Sequence, residues 1–305
     1  MTMKNKISLI AGALMLLIPV LSVAQALPFA GVSTDVSSLG KAGADAVETA
    51  SVRGAAFGNV AAVPFSGTTL DVAAGYAMWK PTSGNIISVS GAYSLGGKLG
   101  LAAGFSYGMN PEYGITDPSG ASKGTFRPTD MQLAVGASYR FLPYLSVGAN
   151  VGYASSSLAE GHSYGAVTAD AFVMGQFSGV KVALGVTDLG SAVTSASGAK
   201  FSLPTALTLG AGYAAVLADK HALDLQLEAD YYLEGAFAAA LGAEYAFDEM
   251  VFLRAGYRYG GDSVLPSFAS VGAGAKFMGI RLDVAYLIGP GALANTIAVG
   301  LGYSF

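Results

Sequence analysis

The sequence predicts a transmembrane up-and-down antiparallel β-barrel of about fourteen strands. Three observations point to this fold class. Hydrophobic residues make up 52% of the 305 residues and charged residues only 12%, against about 25% in soluble domains. Beyond residue 26, no run of about 18 apolar residues offers a membrane-spanning helix. The apolar residues instead alternate with small or polar ones, which is typical of strands that face lipid on one side.

The N-terminus has the features of an export signal. Two lysines precede an apolar region over residues 7–20, and small residues follow it. We expect a signal peptide over residues 1–24, with cleavage after Ala24 or Ala26. The alternative is an N-terminal membrane anchor, which the short apolar run disfavours.

Residues 25–67 do not alternate, and they are predicted to form a plug that enters the barrel lumen. Their Ala-rich part, residues 38–56, favours a short helix capped by Ser37 or Ser38. Residues 62–67 (AVPFSG) indicate a break before the first strand. Gly, Ala and Ser on the inward faces of the strands would leave room for such a plug. The alternative is a loose periplasmic extension.

The barrel is predicted over residues 68–305. Minimal turns such as Gly96-Gly97 alternate with longer loops such as 110–128, the layout of outer-membrane barrels with short periplasmic turns. An even strand number places both chain ends at the periplasmic rim, and loops 110–128 and 190–203, with Tyr113, Phe126 and Arg127, at the outer rim. The predicted strands are 68–79, 86–95, 98–109, 129–141, 144–155, 164–177, 180–189, 204–217, 221–232, 236–247, 250–260, 267–277, 280–288 and 295–305.

Each strand has a large apolar face and a small or charged face. An Arg or Lys at mid-bilayer costs about 2–4 kcal/mol, so the apolar face should contact lipid and the other face the lumen. A one-residue slip in register would exchange the two faces. The inward face is predicted to carry a lumen charge network of Asp224, Glu228, Asp230, Glu244, Arg254, Arg258, Arg281 and Asp283.

Two interpretations of the lumen charge network are open. In the first, opposite charges on neighbouring strands pair, neutralise one another and clamp the plug. In the second, they form a polar stripe for a permeating solute. The first needs no ligand and is favoured.

The C-terminal stretch NTIAVGLGYSF alternates strictly and ends on an aromatic residue. A closed barrel needs its last strand to pair with its first, because an open edge in lipid leaves backbone groups unpaired. Tyr303 and Phe305 resemble the C-terminal assembly signal by which the barrel-insertion machinery recognises outer-membrane barrels. The alternative is an ordinary closing strand of a soluble β domain.

The mature chain resembles the FadL-like barrels, and more closely the PorV/PorQ-type outer-membrane proteins associated with type IX secretion. The resemblance rests on the strand number, on LGKAGADAV (39–47) and on AFGNVAAV (56–63), before a first strand that runs into GYAMWKP (75–81). Gly40, Gly43 and Asn59 mark the matching positions in the plug. Lys41-Ala42-Gly43 replaces the common Met-Gly-Gly, and Asn59-Val60-Ala61 lacks the proline of Asn-Pro-Ala.

Few residues suggest catalysis or metal binding. The chain has no cysteine and two histidines, which disfavours a zinc site, and we expect no cofactor. His162, beside Ser163 and Glu160 in a loop, is the one candidate for outer-rim catalysis, and a solvated loop is the favoured interpretation. The 20 acidic residues outnumber the 16 basic ones, which disfavours nucleic acid as a partner.

The sequence therefore predicts a non-enzymatic protein of the Gram-negative outer membrane. The resemblance implies an accessory or scaffold barrel for protein secretion, with secretion components as partners besides outer-membrane lipid. The alternative is an uptake channel for hydrophobic small molecules, as in FadL-like transport. A general porin is disfavoured, because few strands carry the inward charges that hold water in a porin lumen.

Overall fold

A computed structural model describes residues 27, 29, 33–194, 200–261, 265–290, 293 and 295–305. The predicted signal peptide, residues 1–24, lies outside the described residues. None of the helices in this part of the chain has the length and apolar character needed to cross a bilayer.

Within the described residues, fourteen antiparallel strands close into one barrel, which confirms the predicted fold class. Barrel strand bounds differ from the predicted ones by at most four residues. The strands are β1 (Leu70–Trp79), β2 (Gly84–Leu95), β3 (Leu99–Met109), β4 (Tyr113–Thr116), β5 (Ser122–Phe126), β6 (Thr129–Leu142), β7 (Leu145–Ala159), β8 (His162–Phe177), β9 (Val180–Gly190), β10 (Val193–Thr194), β11 (Lys200–Phe201), β12 (Ala206–Ala218), β13 (His221–Tyr232), β14 (Phe237–Phe247), β15 (Val251–Tyr259), β16 (Phe268–Phe277), β17 (Ile280–Ile288) and β18 (Thr296–Ser304).

The barrel closes where β1 pairs with β18. The pairing runs from Asp71 opposite Ser304 to Met78 opposite Ile297. Strands β4 and β5 form a separate hairpin between β3 and β6, and β10 and β11 form another between β9 and β12. These hairpins extend two of the loops predicted for the outer rim.

The two faces of the wall follow the predicted alternation, so the register is not slipped. On β13, Leu225 and Leu227 are 42% and 50% exposed, whereas Gln226 and Glu228 are 1% and 8% exposed. Large apolar side chains repeat this outward exposure around the barrel. The bilayer is the solvent that makes such a surface stable, because lipid tails replace water around the apolar side chains.

Two of the short turns have a backbone conformation that suits the right-handed twist of paired strands. Gly96 and Gly97 have φ values of 58° and 61°, and Asp248 and Glu249 have 53° and 52°. Positive φ at both central residues is the requirement of a type I′ turn. Glycine meets it without steric cost, and the acidic pair adopts it because the turn joins two firmly paired strands.

Residues 33–67, called here the luminal segment, contain helices that differ from the predicted one. The α-helix α1 spans Val36–Leu39, and Asp35, not Ser37 or Ser38, is its N-cap, accepting the Ser37 N–H at 3.3 Å. The prediction of a helix within 38–56 was therefore misplaced, because Gly40 and Gly43 end the helix early. Two 3₁₀ helices follow at Ala55–Phe57 and Val60–Phe65, the second in place of the predicted break, and a further one, Lys80–Thr82, follows β1.

Candidate functional site: a filled lumen and a cavity beneath the outer rim

The luminal segment packs inside the barrel against the inward face of the wall. Helix α1 contacts β16, β17 and β18, while the 3₁₀ helices contact β2, β3, β6, β7 and β8 on the other side. The Ala42 N–H donates to Ser270 Oγ at 2.8 Å, and the Ala46 N–H donates to Glu228 Oε2 at 2.8 Å. Strand side chains thus satisfy backbone donors that the segment cannot satisfy within its own short helices.

Glycines on the inward face allow this close packing. A Cβ on Gly256 would lie 2.3 Å from the Lys41 carbonyl carbon, and one on Gly148 would lie 2.6 Å from Val60 Cγ1. Gly40 of the luminal segment lies against Gly272 of the wall: a Cβ added to Gly40 would be only 3.2 Å from the Gly272 Cα. The absence of a side chain at these inward-facing glycines therefore leaves room for the luminal segment.

The two other plug positions singled out in the sequence have local structural roles. Gly43 adopts a φ of 77°, which glycine reaches without strain. Asn59 caps the 3₁₀ helix: its Oδ1 accepts the Ala61 N–H at 2.9 Å, and its Nδ2 donates to the Ala46 carbonyl at 2.7 Å. Asn59 therefore ties two turns of the luminal segment together.

The predicted lumen charge network divides into three groups in the structure. In the first, Arg254 pairs with Glu244 at 2.5 Å and with Asp283 at 2.9 Å. Arg281 contacts the same two carboxylates at 3.4 and 3.2 Å. Because all four side chains are nearly fully buried, each charge depends on its partners for solvation.

The second group is Arg258 with Asp230 and Glu228, and the third contains Asp224. Arg258 approaches Asp230 to 2.8 Å and Glu228 to 3.8 Å. Asp224 does not join the other predicted residues by an ion pair; it pairs with Lys181 at 2.6 Å, across β12. The Lys181 side chain passes over the inward-facing Gly212 of β12. A Cβ added to Gly212 would lie 3.3 Å from Lys181 Cε.

Sequence reasoning missed the charges that the luminal segment contributes. Arg53, 2% exposed, bridges Asp35 at 2.9 Å and Asp283 of β17 at 2.7 Å. Lys41 pairs with Glu48, which also accepts from Gln226 Nε2 at 3.0 Å. The available signal was the presence of charged residues in an otherwise apolar, Ala-rich segment, since such residues are buried only when paired. The contacts of Asp283 and Glu228 are those expected if the wall charges clamp the segment.

The segment's ionisable groups respond differently to their burial. Burial raises the pKa of Asp35, but the charge of Arg53 and the hydrogen bonds from Ser37 and Arg53 together outweigh burial and hold that pKa below its usual value. Asp45 accepts a hydrogen bond from Ser38 Oγ and has Asp35 and Glu48 nearby. Burial dominates there and raises the pKa of Asp45 to about 6, despite the hydrogen bond and the charge of Lys41.

Docking of the luminal segment should weaken between about pH 4 and pH 7. A carboxyl whose pKa is higher in the docked state stabilises that state below its unfolded pKa of 3.8, and this contribution is lost as the pH rises through about 6. With partial exposure of Asp45, we expect roughly 1–3 kcal/mol of lost docking energy. Trp79, the one tryptophan, packs with Val36 and Leu39, so its emission should shift to longer wavelength. Asp45→Asn should abolish the shift, and a shift retained in that variant would contradict the assignment.

A cavity of about 120 Å³ remains between the luminal segment and the wall. It lies toward the rim of the longer connections, since its wall residues come from the ends of β9, β13 and β15 and the starts of β12 and β16. Two other cavities beside the segment hold about 10 Å³ each. The apolar lining of the larger cavity includes Leu39, Phe57, Phe172, Leu265 and Phe268. Its polar lining includes Asp35, Asp45, Asp188, Glu228, Asp230, Tyr232 and Arg258.

The remaining residues predicted from the sequence lie away from this cavity. Tyr303 and Phe305 point outward, 44% and 60% exposed, with ring centroids 5.9 Å apart. In the hairpin of β4 and β5, the ring centroids of Tyr113 and Phe126 lie 5.8 Å apart. Beside it, Arg127 contacts Glu112 at 3.4 Å. Recognition by the insertion machinery and contact with an external partner stay predictions.

The candidate for outer-rim catalysis lies at the surface. His162 is exposed at the start of β8, and Ser163 Oγ donates to Ser157 Oγ at 2.9 Å. Among the residues described, no group of three or more His, Cys, Asp or Glu side chains could hold a metal ion.

Comparison with protein-family models finds no match, and comparison with curated protein sequences finds none either.

Solved structures do match. The toluene transporter TbuX of Ralstonia pickettii is 12% identical, covers 87% of this chain and 97% of its own, and has a TM-score of 0.58. The toluene transporter TodX of Pseudomonas putida is 15% identical, with 88% and 96% covered and a TM-score of 0.60. A FadL homologue of Pseudomonas aeruginosa is 12% identical, with 90% and 96% covered and a TM-score of 0.54. The chain thus has the fold of the FadL-like outer-membrane barrels.

Proposed function

We propose that this protein is an outer-membrane channel for small, largely apolar molecules, and that the luminal segment is its plug. The observation that carries the proposal is the filled lumen. The barrel encloses residues 33–67 and leaves, among the described residues, a cavity of about 120 Å³ on the side of the longer connections, lined in part by aromatic rings. A wide, water-filled lumen would instead indicate a porin.

The cavity has the size of a single-ring molecule. An apolar cavity of about 150 Å³ in another protein binds benzene, so roughly the same volume here suits one ring. Phe57, Phe172 and Phe268 supply apolar contact, and polar side chains at the other wall would orient a ligand. The likeness to barrels described as toluene transporters supports this class of cargo.

Passage beyond the cavity requires the plug to move. Val60, Ala61 and Val63 are fully buried against the wall, and the two neighbouring cavities of about 10 Å³ each are too small for a ring. Displacement of the plug as a unit would break the ion pair between Arg53 and Asp283 and the hydrogen bonds of Glu228 to the segment. These contacts therefore set the energy of the closed state.

A disulfide that fixes the plug to the wall tests the proposal. A Cβ on Gly242 would lie 3.2 Å from Ala44 Cβ, close to the 3.5–4.5 Å that a disulfide spans. It would also lie 2.8 Å from Lys41 Cβ, so the new side chain crowds the plug slightly, and the chain itself has no cysteine. The double variant Ala44→Cys/Gly242→Cys should lose toluene uptake when oxidised and regain it on reduction. Uptake of radiolabelled toluene is measured in Gram-negative cells that carry the full chain in the outer membrane.

The single variants Ala44→Cys and Gly242→Cys are the matched controls, and both should respond to neither oxidant nor reductant. Sugar permeability of the wild type should stay negligible, and that of Gly242→Cys alone measures any loosening of the plug by crowding of Lys41. Uptake no faster than in cells without the protein would contradict the channel function, and full uptake by the oxidised double variant would contradict plug movement.

The accessory role in secretion implied by the PorV/PorQ resemblance stays a prediction. None of the contacts and comparisons above favours it over transport. Co-purification of secretion components with the full chain, from the membrane of its own host, would revive it.

A further inference from the structure

The cavity beneath the outer rim has an unbalanced charge. Among the described lining residues, Arg258 is the basic one, and it is already engaged by Asp230 at 2.8 Å and Glu228 at 3.8 Å. Asp35 is engaged by Arg53 from within the luminal segment. The acidic lining residues are Asp35, Asp45, Asp188, Glu228 and Asp230.

Two of these carboxylates have no basic partner in the described part of the chain. Asp45 accepts a hydrogen bond from Ser38 Oγ, and no ion pair includes it. Asp188 lies at a bulge in β9, where its N–H donates to the Asp170 carboxylate at 2.8 Å, so its nearest charged neighbour is also acidic. Both reach the cavity, and neither is fully buried.

The other walls of the cavity also favour a cation. Phe57, Phe172, Phe268 and Tyr232 present aromatic rings, whose faces attract ammonium groups. An anionic ligand would meet the acidic residues of the described lining, whereas the guanidinium of Arg258 is already paired.

We propose that this cavity selects single-ring molecules that carry a positively charged amine, and that it excludes aromatic carboxylates. The proposal rests on the channel function above and adds its substrate class. The ring packs against the phenylalanines, and the ammonium group lies between Asp45 and Asp188. Neutral hydrocarbons of the same size still bind, because the aromatic contacts remain, but they leave both carboxylates without a partner.

Three probes of similar size and different charge test the selectivity: benzylamine, toluene and benzoate. Their affinities for the purified full chain in detergent are measured at pH 7.5 by ligand-observed NMR, with empty micelles as the blank. One partly solvated ion pair should bring benzylamine about tenfold above toluene. Benzoate should show no binding above the blank.

The variant Asp45→Asn keeps the shape of the side chain and removes its charge. It should weaken benzylamine binding about fivefold or more and leave toluene binding unchanged, since a lost charge contact acts only on the charged probe. Asp248→Asn is the matched control: Asp248 pairs with exposed Lys220 in a short turn at the opposite rim. That variant should behave as the wild type, and an unshifted Trp79 emission shows that the plug is still docked.

The outcomes separate this proposal from the channel function. Equal affinity for the three probes, tighter binding of benzoate, absence of benzylamine binding, or an unaffected Asp45→Asn variant each overturns the selectivity. The channel function depends on toluene uptake by cells and is unaffected by those results.

Discussion

Arg53→Met should release the plug from the barrel wall and open the lumen. Arg53 is 2% exposed and joins Asp35 of the plug to Asp283 of β17. Its replacement leaves buried Asp35 without its ion-pair partner and removes one of the three arginines around Asp283. Breaking a buried pair in this way costs about 3–5 kcal/mol. The Asp35 pKa, which the charge of Arg53 holds low, should rise as a result.

Two measurements check this result. Trp79 emission should move to longer wavelength, because Val36 and Leu39 leave its side, and sugar permeability should rise from negligible to porin-like. Arg127→Met is the matched control, since Arg127 and Glu112 form an ion pair with both side chains about half exposed, and such a pair contributes about 0–1 kcal/mol. A sealed lumen in Arg53→Met would show that the ion pairs do not hold the plug.

Gly256→Val should prevent the plug from docking while the barrel still folds. The added Cβ would lie 2.3 Å from the Lys41 carbonyl carbon and 2.7 Å from the Ala42 nitrogen. Both are backbone atoms of the luminal segment, and backbone atoms cannot move aside as a flexible side chain can. Overpacking of this kind costs about 1–3 kcal/mol and more where the backbone must shift. Valine itself suits a strand, so the wall should remain intact.

Sugar permeability and Trp79 emission again report the state of the plug. Ala255→Val, on the same strand but with its side chain exposed toward lipid, is the control and should match the wild type. A docked plug in Gly256→Val would mean that the luminal segment has more freedom than the close approach of Lys41 implies.

The strands could be predicted from the sequence because strand formation is a local property. Alternation along β13, with Leu225 and Leu227 against Gln226 and Glu228, is decided by which face meets lipid and needs no knowledge of distant residues. The two-residue turns at Gly96-Gly97 and Asp248-Glu249 are equally local. The helix in the luminal segment could not be placed in this way, since Asp35 caps it while also engaged by Arg53, 18 residues further along the chain.

The candidate site depended on contacts that no local pattern encodes. Asp224 was expected to pair with the basic residues of β15 and β17. It pairs instead with Lys181 of β9, whose side chain crosses β12 over Gly212, where no side chain blocks it. Asp283 was expected in a network that clamps the plug, but its partner in the plug was not predicted: Arg53 reaches it from a position 230 residues earlier. The cavity combines such distant parts, from Asp45 to Phe268.

The sequence by itself determined that this protein is a closed barrel with an apolar outer face, because each strand shows its two environments, lipid and lumen, in every pair of neighbouring residues. Only the tertiary structure decided how the lumen is filled. Burial of a charge inside a barrel is favourable or costly according to the partner that arrives from elsewhere in the chain, and that partner is set by packing of the luminal segment against glycines on many strands.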